Sequence, residues 1–436
     1  MSALKRFPAL LVSGALSCLL LASCASAGQT GGAASSAAPT SEAAGSAEAA
    51  QNAAGGASAA ESEEAVSSGE AAQGAAVSSP EENGAFSLTD ISGRESHFDK
   101  RPETIAVANY IFNFLLVGGR DSLSRVVALT KDGWEDTRYG EYTALTEAYP
   151  EIEDIPSIGG YHDDVLNSER ILELNPDCIL INRSQYTENE TSIPVWEAAG
   201  IRVIVLDYHK MSLENDVQST EILGKLLGRE ETAKELNAAY TNGIQMVEDR
   251  VSALPDSEKN VKAYVELGNL GPGTIGNSYD GILWGAILDN IGAANLAKGK
   301  LGEGYGALDQ EYIIDQNPEK IIIGGSIWTG DTESSQMRMG FTVSESEAQE
   351  RLRPFCERAW WQGVNAVKNG EIYGVDHGSL RNALDYTFTE YLAKIVYPDA
   401  FSDIDPQEEY EEMLKKYLPE ITEPGTFMIK MNETAN

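Results

Sequence analysis

Aromatic and cationic side chains gather just after apolar, strand-like runs, and they suit noncovalent recognition of a bulky, partly anionic chelate. In the first half of the chain these are Asn109 and Tyr110, Tyr161 and His162 behind Gly159-Gly160, Arg183 and Tyr186, and Tyr208 and His209 behind Asp207. In the second half they are Asn269, Tyr279, Trp284, Trp328, His377 and Arg381. Rings supply contact area, and a guanidinium binds carboxylate or phosphate oxygens in a fork. Ligands of open α/β sheets collect where loops leave the carboxyl ends of strands, the position these residues occupy. Two have plainer readings. Trp284 in GILWGAIL reads as a core residue, and His162 beside Asp163-Asp164 reads as part of a solvated turn. His377 and Arg381 in DHGSLR follow a strand directly and are the leading candidates of the second half.

Covalent chemistry has no anchor in this chain. There is no G-x-S-x-G, no paired-cysteine ligand set and no P-loop, so no enzyme activity and no resident cofactor is expected. Residues 271–276, GPGTIG, match G-x-G-x-x-G after a strand. Pro272 and the following NSYDG delay any helix, however, so no helix N-terminus stands ready for a pyrophosphate. A bare Zn²⁺ or Mn²⁺ site needs about four side-chain ligands, usually several histidines. The histidines are His97, His162, His209 and His377, with no His-rich loop, which favours a preformed metal complex over a free ion as ligand.

The elements that position these residues announce themselves by repetition. Residues 169–181 read ERILELNPDCILI, and residues 311–323 read EYIIDQNPEKIII. Glu169/Glu311, Ile171/Ile313, Asn175/Asn317, Pro176/Pro318, Ile179/Ile321 and Ile181/Ile323 are identical. Each copy predicts a short amphipathic helix, a proline stop and a buried strand, so the chain should hold two similar α/β lobes with a ligand-binding cleft between them. Residues 86–99 predict a hairpin turning at Gly93. Strands are predicted over 104–108, 126–129, 178–182, 203–207, 262–267, 321–324 and 372–376, with helices over 111–118, 193–199, 387–396 and 407–417. Strand–helix–strand alternation gives each lobe a central, mostly parallel sheet, a Rossmann-like arrangement. A proline-free run from 212 to about 254 predicts a long connecting helix, weakened locally at Gly224, Gly228 and Gly243, with Gly228 as a candidate joint between two helices. The expected organisation is a leader (1–23), a tether (24–85), an N-terminal lobe (86–211), a connecting helix (212–257) and a C-terminal lobe with terminal helices (258–436).

Lys5 and Arg6 precede an apolar run over 7–21 that reads as a signal h-region, too short for a final membrane span. It ends in Leu21-Ala22-Ser23-Cys24, which resembles the bacterial lipobox. Acylation of Cys24 would anchor the protein to the outer face of a membrane. Residues 25–85 are mostly Ala, Gly, Ser, Glu and Gln, the composition of a disordered tether with a reach of roughly 40–45 Å. The net charge is −36. The leader contributes +2 and the tether −8, which leaves the folded body at −30 and excludes nucleic acid as a partner. Cys178 and Cys356 are expected as buried free thiols.

The segments at 90–109 (DISGRESHFDKRPETIAVAN), 155–181, 223–236 (LGKLLGREETAKEL), 273–297 (GTIGNSYDGILWGAILDNIGAANLA) and 307–323 together resemble class III substrate-binding proteins of ABC importers, which deliver ferric siderophores, haem and cobalamin. The resemblance implies two lobes bridged by a rigid helix, a small opening motion, and a lipid-anchored extracytoplasmic monomer. Its implied partners are a small-molecule metal complex and an ABC permease with its ATPase. It also implies that Glu169 and Glu311 meet arginines on the permease. A carrier of free divalent ions and a surface receptor or adhesin built on the same fold are the alternatives.

Overall fold

The computed structural model describes residues 84–302, 304–423 and 425–432. The leader, Cys24 and nearly all of the acidic tether lie outside them. β1 (Phe86–Thr89) and β2 (Glu95–Phe98) form the predicted antiparallel hairpin, and Gly93 takes the left-handed φ of 80° that its turn needs. The Asp90 carboxylate accepts N–H bonds from Ser92, Arg94 and Val205, which fastens the hairpin to an edge of the first sheet.

That sheet holds β3 (Ile105–Val107), β4 (Val126–Leu129), β5 (Cys178–Ile181) and β6 (Arg202–Val205), all parallel, in the order β4-β3-β5-β6. α1 (Ile111–Gly118) links β3 to β4. α2 (Trp134–Thr137), α3 (Tyr139–Ala148), α4 (Glu151–Asp154) and α5 (Ser168–Leu174) lie between β4 and β5, while α6 (Arg183–Glu188) and α7 (Ile193–Ala198) lie between β5 and β6. β5 is buried along its whole length and β6 nearly so, as parallel strands covered on both faces must be, which is why they read as continuous apolar runs.

The connecting segment is two helices, joined at Gly228. α8 (Leu213–Leu227) ends at Gly228 with a left-handed φ of 69°, and α9 (Glu230–Ala253) doubles back along it. The glycines expected to weaken the run serve close packing instead. A Cβ on Gly224 would lie 2.6 Å from that of Ala233, and one on Gly243 would collide with the Tyr386 ring. α9 alone is the rod, roughly 36 Å long at 1.5 Å per residue.

The second lobe continues with β7 (Lys262–Leu267), β8 (Asn277–Tyr279), α10 (Trp284–Asn290), β9 (Ala294–Asn295), β10 (Tyr305–Ala307), α11 (Gln310–Gln316), β11 (Lys320–Gly325), α12 (Glu345–Cys356), α13 (Asn365–Lys368), β12 (Ile372–Asp376), α14 (Tyr386–Val396), α15 (Pro406–Tyr417) and β13 (Met428–Lys430). β8 and β10 make a separate ribbon. The main sheet runs β13-β12-β11-β7-β9, with β13 alone antiparallel. Read from the other edge, β9-β7-β11-β12 repeats the topology of β4-β3-β5-β6. The chain is thus a pair of matched α/β lobes.

The repeated segment has a physical cause in each lobe. Asn167 and Asp309 cap α5 and α11 through their side chains. Asn175 and Asn317 end those helices at φ 44° and 51°, one residue before the prolines. The next acid then staples the neighbouring strand. Asp177 accepts the N–H groups of Glu103 and Thr104 ahead of β3, and Glu319 accepts that of Lys262 at the start of β7.

Residues 271–276 wrap a buried ion pair. Arg358 meets both Glu266 oxygens at 2.7 Å, donates to the carbonyls of Pro272 and Thr274, and lies 4.3 Å from the Trp361 ring centroid. A Cβ on Gly276 would collide with the Leu267 carbonyl, so the dinucleotide-like glycines serve this knot, and β8 follows them in place of a helix. Cys178 is buried. Cys356, expected to be buried, keeps partial exposure because α12 ends there; both thiols are free. Among the described residues no helix is long and apolar enough to cross a membrane.

Candidate functional site

Tyr110 opens α1 from a left-handed backbone (φ 63°), a costly conformation for a tyrosine, with its N–H on the Asn109 side chain. Its hydroxyl accepts the Tyr208 N–H at 3.2 Å and lies 2.6 Å from Nδ1 of His209. The hydroxyl can donate to that nitrogen or accept from it, so Tyr110 and His209 are joined in either tautomer. Tyr208 is fully buried, packs edge-on beneath Tyr110 and bonds Thr220, so it supports the wall from behind.

Tyr161 stacks flat on Trp134 at 5.0 Å and donates its hydroxyl to Glu141, while His162 packs edge-on against the Tyr161 ring. Beside them, at the head of α3, sits Arg138, buried and absent from the sequence candidates.

The opposite wall comes from the second lobe. His377 leaves the end of β12, receives the Trp284 indole N–H on Nδ1 at 3.0 Å, and stacks against Tyr279 at 5.8 Å. Indole only donates, so the neutral His377 ring carries its proton on Nε2. Arg381 holds φ 70°, fixed by its N–H on Asp385 (2.9 Å) and by Asn113 of α1 donating to its carbonyl (3.0 Å). Asn113 also accepts the Ala383 N–H at 2.9 Å, so a first-lobe helix keys the loop that carries Arg381.

These walls converge. Burial, then the charges of Arg138 and Arg381, lower the pKa of His162, His209 and His377, leaving all three neutral at neutral pH. Burial lowers the Arg381 guanidinium to about 10, with the Arg138 charge adding to the shift, so it remains a cation at neutral pH. Burial opposes the charge on Arg138 too, yet Glu141 and Tyr161 keep its pKa raised. The Glu141 and Asp376 carboxylates offset part of the Arg138 charge. Burial lifts Asp376, beside Arg138, to about 6. His162 and His209 keep solvent-exposed surface.

Arg183 and Tyr186 do not join this group. Arg183 bonds Asp207 at 2.8 Å and the Ile91 carbonyl, and Tyr186 lies under Arg94, so the first hairpin occupies both. Trp284 is core, with only its N–H reaching the site. Asn269 lies in the turn after β7. Trp328 stands at the junction of the lobes, where its carbonyl accepts the Tyr139 N–H. Glu169 and Glu311 are exposed in the first turns of α5 and α11. Among the described residues no three His, Cys, Asp or Glu side chains are grouped to hold a metal ion.

Known proteins share this architecture. The periplasmic binding protein family matches residues 132–377. A TroA-like periplasmic binding protein, FepB of Veillonella parvula, is 32% identical and superposes with a TM-score of 0.73 over 79% of this chain and 99% of its own. The uncharacterized ABC transporter substrate-binding lipoprotein YvrC of Bacillus subtilis is 23% identical over 59% of this chain and 73% of its own. The molybdate-binding protein MolA of Haemophilus influenzae is 20% identical over 68% of this chain and 81% of its own. With more than half of its length matched and both lobes reproduced, the chain belongs to the periplasmic binding protein family, in its class III form.

Proposed function

We propose that the protein captures an anionic metal complex, such as a ferric siderophore, haem or a corrinoid, between its lobes and hands it to an ABC permease. The observation that carries this reading is the gap's donor character. Arg138, Arg381 and the Nε2–H of His377 all offer protons or positive charge inside a body of strongly negative net charge. A bare cation needs imidazole lone pairs, and the bond from Trp284 occupies that on Nδ1 of His377 while its Nε2 is protonated. Tyr110, Tyr161 and Tyr279 supply ring surface for a ligand larger than a single ion.

Acylation of Cys24 would hold the protein outside the cell membrane as a monomer, with Glu169 and Glu311, one on each lobe, fixing its register on the permease. A free oxyanion is the second reading, favoured by the arginine pair and by the name of the molybdate-binding relative. A thermal-shift panel of ferric siderophores, haem, cobalamin, molybdate and divalent ions tests both. A true ligand at a hundred times its Kd adds about 2.7 kcal/mol. Stabilisation by divalent ions alone would overturn the reading.

A further inference from the structure

We infer that the head of α3 is a latch between the lobes, with Gly140 as its positioning residue, and that it couples ligand capture to lobe closure. This rests on the gap being the ligand site. Directly after Arg138, the Gly140 N–H donates to the Ile327 carbonyl at 3.0 Å and the Tyr139 N–H to that of Trp328 at 3.4 Å. Ile327 and Trp328 follow β11, so these bonds cross from one lobe to the other.

The fit is close on both sides. A Cβ on Gly140 would lie 2.9 Å from that of Ile327, and one on Gly330 would lie 3.0 Å from the Tyr139 ring. Two glycines, one per lobe, thus each make room for the other's partner. Gly140 has no positive φ, so the helix itself would accept alanine readily; only the opposite lobe excludes it.

The adjoining charges make the latch responsive. Arg138 on the first lobe and Arg381 on the second repel one another across the gap. In the empty protein that repulsion works against the cross-lobe bonds. An anion seated between the guanidiniums cancels it, and closure then costs less. The ligand need not touch Gly140 to close the latch; it needs only to neutralise the residue two positions earlier.

Hydrogen exchange on the ligand-free protein tests this without knowledge of the ligand. In Gly140→Ala the amides of 139 and 140 should exchange roughly tenfold faster, the order expected for losing one backbone bond, while β4 and β11 keep their protection. Unchanged exchange at 139 and 140 would overturn the latch. Should Gly140→Ala lose protection throughout, Arg138→Gln decides. Removing one of the two repelling charges should slow exchange at 139 and 140, and equal or faster exchange there would end the inference. Because no ligand is added, a failed ligand panel with a positive exchange result leaves the latch standing and sinks only the cargo assignment.

Discussion

The Trp284 indole N–H lies 3.0 Å from Nδ1 of His377, and the direction of that bond cannot be reversed, because indole has no lone pair to offer. A buried core residue thereby fixes which face of a histidine meets the ligand. Nitrogen-15 spectra should report Nδ1 of His377 unprotonated and Nε2 protonated near neutral pH. Trp284→Phe should release that preference and weaken ligand binding. A protonated Nδ1 in the unaltered protein would contradict the donor-lined gap.

The two arginines should separate binding from stability. Arg381→Gln removes a charge-assisted donor worth about 1.5–3 kcal/mol, so affinity should fall roughly 10- to 100-fold. The empty protein should melt no earlier, since Arg138 loses a repelling neighbour. A large drop in the melting temperature of the empty variant would assign Arg381 a structural role instead.

Stability should decline above about pH 6.5. Burial raises Asp385 to about 7 and, helped by Glu409, Glu390 to about 8, and both side chains are almost fully buried. Such acids hold their protons in the folded state after the unfolded chain has released them. Their contribution is full below the unfolded carboxylate range and is lost as pH rises through the folded values. His377, lowered by burial, has the opposite sign: its contribution is present above pH 6.5 and lost as pH falls. Between pH 6.5 and 8 the acids dominate, with a loss on the order of 2 kcal/mol and a fall of a few degrees in Tm. A Tm that climbs steadily to pH 8 would contradict these assignments.

Glu169 and Glu311 hold matching positions on the two lobes. Replacing both with lysine should abolish uptake in cells while leaving ligand affinity and Tm unchanged. Intact uptake would remove the docking role and favour a receptor that works without a permease.

Arg358→Met should cost about 3–5 kcal/mol, because Glu266 would keep a buried charge without its partner. Hydrogen exchange should rise first in residues 271–276, which hang from that guanidinium. A loss below about 1 kcal/mol would show that the loop is held by other contacts.

Much of the architecture was legible because local chemistry and fold agreed. The strands of both sheets are apolar on two faces, and the Asn-Pro-acid sequence does the same capping and stapling in each lobe. The long connector breaks at Gly228, the candidate joint, where the left-handed conformation that glycine accepts readily ends the first helix. Arg138, by contrast, was illegible. It follows no strand directly and sits in the polar stretch WEDTRYGEY, so only the folding of α3 against the second lobe brings it to the gap. Arg183 does follow a strand, and there Asp207 and the first hairpin bind its guanidinium.

The central claim is that Arg138 and Arg381 grip an anionic complex between the lobes. Calorimetric titration of the ligand found by the thermal-shift panel, into the native protein and into Arg138→Gln/Arg381→Gln, tests it most directly. The account predicts saturable one-to-one binding to the native protein and at least a hundredfold weaker binding to the double variant at equal Tm. Equal affinity in the two proteins would contradict it.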